Sequence, residues 1–178
     1  MPDVRLKSLK RDDRGSAAVE FAFLAPIMIL LYFGMVEFCQ GYMALKRTDH
    51  VAAMVADLVS QTDATTPKQI ADTFDIGDLI MKPFSAASLK QRVSSVTRVS
   101  STSYTVNWSQ TRGMSDKLKA ADAGIPGDML ANGESVIIAE AFYDYSSPFD
   151  TVAPFVTRFK RTAYLRPRTV EIIGCTGC

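Results

Sequence analysis

The sequence predicts an α+β protein. An N-terminal helix crosses a membrane and continues as a stalk, and a small head of one helix and an antiparallel β-sheet follows. Three observations predict it. Residues 17–36 read AAVEFAFLAPIMILLYFGMV, a run with a single charge, Glu20. Between residues 51 and 59, Val51, Met54, Val55, Leu58 and Val59 recur at spacings of three and four, the period of one helix face. From residue 92 onward apolar residues alternate in short runs bounded by turn formers, the pattern of half-buried strands.

The apolar run is long enough to span. A helix rises ~1.5 Å per residue, so a hydrocarbon core of ~30 Å needs about 20 residues. A buried helix of a soluble protein would carry a polar stripe, and residues 21–36 carry none. Direction follows from the flanks. Arg5, Lys7, Lys10, Arg11 and Arg14 precede the run, and the next basic residues are Lys46 and Arg47. Lys and Arg crowd the cytoplasmic side of a span, so the N-terminus is expected in the cytoplasm and the rest across the membrane. A cleaved signal peptide would have a shorter apolar region and a small-x-small cleavage site. Here Glu37, Phe38, Cys39 and Gln40 follow, which also fails as a lipoprotein signal. Pro26 removes an intrahelical bond and is expected to kink the span.

Bulk properties narrow the function. The 178 residues suit one ordinary domain with an appendage. A net charge of +1 supplies no field toward nucleic acid or an acidic substrate, so neither nucleic acid nor a small-molecule substrate is expected as a partner. Three cysteines are too few for a disulfide scaffold. The expected organisation is a cytoplasmic basic leader at 1–15, a transmembrane helix at 16–38, an amphipathic stalk at 39–62 and a head at 63–178.

The head reads in order. Ser60 to Asp63 ends the stalk. Thr66, Pro67 and Gln69 have the form of a capping box with Pro at the first helical position. The helix they start runs to about Met81, is weakened by Gly77 and is stopped by Pro83. Residues 92–99 and 103–110 form a hairpin around Ser100 to Thr102. Residues 111–134, rich in Gly, Asp and Ala, read as an insertion with a turn at Gly124, Ile125, Pro126 and Gly127. Strand three is 135–145. Strand four covers about 159–165, with 170–173 as a candidate continuation beyond Pro167.

No catalytic constellation stands out. His50 is the single histidine, on the polar side of the stalk, and no phosphate-cradling glycine loop is present. Cys175, Cys178 and a distant His50 do not make a zinc pattern, so neither metal nor cofactor is expected and the chain reads as a non-enzyme. Asn107-Trp108-Ser109 is a formal glycosylation sequon that reads better as strand. Tyr143 and Tyr145 share a sheet face and suit packing better than ligand stacking. Cys39 reads as a small packing residue. Cys175 and Cys178 would face an oxidising compartment, where they either close a local disulfide or remain thiols.

Glu20 is the most informative residue. A carboxylate within an apolar helix costs a few kcal/mol on insertion scales. Arg14, six residues earlier, offers one intrachain partner near the interface. The surrounding residues, Arg14-Gly15-Ser16-Ala17-Ala18-Val19-Glu20-Phe21, suggest another. They resemble the site at which a prepilin peptidase cuts after Gly and leaves Glu at mature position five. By that resemblance the processing site is Gly15 and Ser16, and Glu20 with Phe21 acts in assembly. Glu20 would then pair with the new N-terminal amine of a neighbouring subunit. Ser16 stands where Phe is common, and Phe21 where many Flp-type pilins have Tyr. The chain could therefore stay uncut and keep the span as a plain anchor.

Further residues extend the likeness. Trp108-Ser109, Ile125-Pro126, Glu140-Ala141-Phe142-Tyr143-Asp144-Tyr145 and Arg166-Pro167-Arg168 resemble features of TadE-like proteins. The resemblance implies a single-pass subunit of the bacterial inner membrane with a periplasmic head, serving Tad/Flp pilus assembly. Its implied partners are the membrane, a prepilin peptidase, other pilin-like subunits and Tad assembly platform proteins, and it could enter the pilus itself. The alternative is an unprocessed envelope module, structural or interacting, with no pilus role.

Overall fold

A computed structural model describes residues 14–126, 129–147 and 156–178. The fold is α+β, with a long N-terminal apolar helix, a second helix and a four-stranded antiparallel sheet. Helix α1 is Arg14–Ser60 and runs through Pro26 without a break. Strand β1 is Ala64–Thr65 and helix α2 is Pro67–Ile80. Strands β2 (Leu89–Arg98), β3 (Tyr104–Arg112), β4 (Ser135–Ser146) and β5 (Val156–Leu165) make the main sheet, in the order β3-β2-β4-β5. Strand β6, Gly174–Cys175, pairs in parallel with β1. The chain divides into two compact units between Gln40 and Gly41.

In the first unit α1 is an apolar cylinder. Phe21, Phe23, Leu24, Leu30, Leu31 and Met35 are among many exposed large side chains there. The second unit has its own core. Ala44, Val51, Ala52, Val55, Ala56 and Val59 of α1 are buried with Ile70, Phe74 and Met81 against one face of the sheet. The i, i+3, i+4 spacing of the stalk is thus the seam that seats the sheet.

Helix α2 starts as its capping residues dictate. Thr66 is extended and its hydroxyl accepts from the Gln69 N–H at 3.3 Å, with Pro67 first in the helix where no N–H is needed. At the other end Arg47 Nη1 donates to the Ile80 carbonyl at 2.7 Å, satisfying an orphan acceptor where the helix dipole favours a cation.

The helices cover one face of the sheet, and part of the other face is covered as well. On β4, Ile137, Ala139, Ala141, Tyr143 and Tyr145 point to the helices, and Val136 and Ile138 to the other side. Val96, Val136 and Ile138 there meet Leu118, Ala123 and Leu130. The segment expected as an insertion is therefore the lid of a second core. Leu118 N–H donates to Ser109 Oγ at 3.0 Å and Tyr164 Oη to the Gly124 carbonyl at 3.0 Å. Residues 127 and 128 of the expected turn lie outside the described residues.

The apolar residues of the β2–β3 hairpin divide between the two faces of the sheet. An extra residue in β3, between the pairs Val96–Val106 and Ser95–Trp108, shifts the register. It sends Val106 to the second core and Trp108 to the first, as a β-bulge does. Residues 170–173 do not continue β5. After Pro167 the Arg168 N–H donates to the Ser60 carbonyl at 3.0 Å, which turns the tail back onto the end of α1. Ile173 is then fully buried and its carbonyl accepts from Trp108 Nε1 at 2.8 Å.

Candidate processing and assembly site

The candidate residues stand on the first turns of α1. Gly15 is exposed, with nothing within 4 Å of where a Cβ would sit. Glu20 and Phe21 are also exposed, and Phe21 keeps 71% of its surface. Positions 16 and 20 are one helical turn apart and share a face. An amine created at residue 16 would therefore stand about 6 Å along the axis from Glu20 of its own chain. The same exposed carboxylate is reachable by the amine of a second, staggered helix. A carboxylate on an apolar helix surface is a place where a cation is favoured.

Among the described residues one helix is long and apolar enough to cross a membrane, from Ala17 onward, and its most apolar stretch is unburied. Cys39 is exposed on this helix.

The head's chemistry lies mostly in charge pairs on the outer face of β2, β4 and β5. Glu140 is 4% exposed and holds Arg92 at 2.5 Å and Lys160 at 3.0 Å. The Phe142 ring lies between the same two cations, 5.9 and 5.4 Å from its centre. Asp144 meets Arg158 at 2.5 Å and Lys90 at 3.3 Å. The hydrogen bond from Arg158 is the main reason the Asp144 carboxyl lies below the ordinary carboxylate range. Burial pushes the Tyr143 and Tyr164 phenols above theirs. Sequence reading passed over this ladder. Its trace is the alternation of Glu140, Phe142 and Asp144 on one face of β4, opposite Thr162, Lys160 and Arg158.

Among the described residues no group of three His, Cys, Asp or Glu is placed to hold a metal. His50 is exposed on α1. Cys175 and Cys178 are joined as a disulfide with Cα atoms 5.6 Å apart. The link lies beside the β1–β6 pair, where Thr176 N–H donates to the Thr65 carbonyl at 3.0 Å.

An apolar N-terminal helix that continues into an α+β head is the architecture of a membrane-anchored, helix-mounted module. Residues 15–57 match the family model described as TadE-like protein. That segment holds the candidate processing and assembly residues and the stalk as far as residue 57. The match and the helix fit a membrane-anchored component of the Tad pilus system. No curated protein and no solved structure matches the chain.

Proposed function

We propose that this chain is a minor pilin-like subunit for Tad/Flp pilus assembly, anchored in the bacterial inner membrane. The observation that carries the reading is Glu20, exposed on an apolar helix, five residues after Gly15, inside the TadE-like segment. Residues 1–15 form the cytoplasmic leader, 16–38 the span, 39–62 the stalk, and 63–178 a periplasmic head. A prepilin peptidase cuts between Gly15 and Ser16. Glu20 then accepts the amine of a neighbouring subunit, and the apolar surface around Phe21 packs on that neighbour. A desolvated carboxylate gains such a partner only when helices stagger correctly, which sets register. The chain acts by binding pilin-like subunits and platform proteins, not by catalysis. Its Cys175–Cys178 link is kept oxidised in the periplasm.

Glu20→Gln tests this. The amide removes an insertion cost and is a poorer acceptor for an ammonium. Membrane levels should be unchanged, and cross-linking or co-purification with other pilus components should fall by about tenfold, the loss of a charge-assisted bond. Unchanged association would remove Glu20 from the mechanism. Loss from the membrane would instead point to intrachain pairing with Arg14.

A further inference from the structure

We infer that one end of the head lies in the headgroup layer of an anionic bilayer, a proposal that rests on the reading of α1 as a membrane span. Its basis is a patch of apolar side chains on the second unit. Ile76 and Leu79 of α2 are 40% and 60% exposed. Ile80, next on the helix, joins Tyr42, Met43, Lys46, Arg47 and His50 around an apolar hollow of about 300 Å³. The Arg47–Ile80 hydrogen bond pins the end of α2 to α1 at this place. Tyr42 and Met43 are also about half exposed. Among the described residues of the head, the other exposed large apolar side chains are Val99 and Ile172. Val99 follows the far end of β2, and Ile172 lies in the C-terminal tail.

The occupant follows from chain length and charge. Tyr42 is four residues beyond residue 38, where the span ends, in the same continuous helix. Four helical residues rise about 6 Å, and a headgroup layer is roughly 5–8 Å deep on each side. The chain alone thus holds Tyr42 at the depth where tyrosines collect. Cations frame the patch. The Lys46 ammonium lies 5.7 Å from the centre of the Tyr42 ring, and Lys82, just past α2, is exposed. The nearest carboxylates on α2, Asp75 and Asp78, are turned to Arg112 at 2.5 and 3.0 Å, and Asp49 is exposed on the stalk. Aliphatic side chains edged by Tyr and Lys suit a layer that is apolar beneath and anionic above.

The test uses the full chain in lipid nanodiscs, with Cys39→Ser and a single fluorophore on Leu79→Cys or on Ser101→Cys. Ser101 lies past the far end of β2, a ten-residue strand about 33 Å long. Nitroxide lipids labelled near the headgroup serve as quenchers in phosphatidylglycerol-rich or pure phosphatidylcholine discs. Quenching at Leu79 should exceed that at Ser101 about threefold or more in the anionic discs, and Lys46→Glu with Lys82→Glu should abolish the excess, as expected for juxtamembrane cations. Equal quenching at the two positions would overturn the proposal. So would an excess that neither lipid charge nor charge reversal changes. Shielding of Leu79 from aqueous iodide without lipid quenching would show a protein on the patch, a second copy or a pilin-like neighbour, and would also overturn it. A chain that fails to enter discs at all would contradict the membrane span itself, and this proposal with it.

Discussion

Gly77 of α2 is buried against the side chain of Gln91 of β2, whose amide fills the space a Cβ at position 77 would occupy. The Gln91 amide group donates to the Phe74 carbonyl at 3.0 Å and to Asp78 Oδ1 at 3.0 Å. Glycine inside a helix costs about 1 kcal/mol relative to alanine. Here it admits a polar clamp between helix and sheet.

Gly77→Ala is therefore expected to destabilise the head despite the better helix former. The methyl would displace Gln91 and break two hydrogen bonds, one of them to a carboxylate. At about 1 kcal/mol for the neutral bond and about 1.5–3 kcal/mol for the one to the carboxylate, these outweigh the propensity gain of about 1 kcal/mol, for a net loss of about 1.5–3 kcal/mol. In a Gln91→Ala background the same change should be neutral or stabilising. Denaturant unfolding of the four full-length variants in mild detergent checks the cycle.

Glu140→Gln should cost about 2–4 kcal/mol, because Arg92 would keep its burial and lose its carboxylate. Lys160→Ala should cost under about 1 kcal/mol, since Lys160 is mostly solvated and its loss leaves the Arg92 pair intact. Equal losses in the two variants would mean that Arg92 and Lys160 share the carboxylate evenly.

Acid and alkali should weaken the head through different groups. The Asp144 carboxyl is lowered in the folded chain, chiefly by the hydrogen bond from Arg158. Its contribution is whole above the ordinary carboxylate range, about 4, and is lost as pH falls through the folded value. Tyr143 and Tyr164 are raised by burial. Their contribution is whole below the ordinary phenol range, about 10, and is lost as pH rises through the folded values. Stability should be flat between these limits. Asp144→Asn should shrink the acid limb and leave the alkaline one unchanged in thermal melts across pH.

Local signals made much of this fold legible. The capping residues Thr66, Pro67 and Gln69 fixed the start of α2, and alternation located the four strands of the main sheet. The candidate processing residues stand out in the sequence because Gly15, Glu20 and the apolar run obey one spacing in one helix. What escaped depends on contacts remote in sequence. The extra residue in β3 divides Trp108 from Val106, and no local rule marks it. The lid over the second core has no period, because a loop packs through single side chains such as Leu118 and Leu130. The tail follows Trp108 and Ser60, partners 65 and 108 residues from the positions they bind, Ile173 and Arg168.

Trp108→Phe should cost about 1–3 kcal/mol. It removes the indole hydrogen bond and leaves the buried Ile173 carbonyl unsatisfied. The tail should loosen before the sheet does. Limited trypsin digestion should therefore cut after Arg168 sooner in the variant, with loss of a fragment ending at Cys178 seen by mass spectrometry.

The central claim is a pilin-like subunit matured at its leader. Its most direct test is the intact mass and N-terminal sequence of the membrane-extracted chain after co-expression with the cognate prepilin peptidase. The expected product is a chain beginning at Ser16, and none of it with Gly15→Leu. A chain that keeps Met1 or Pro2 under those conditions would contradict it, and would leave α1 as an uncut anchor.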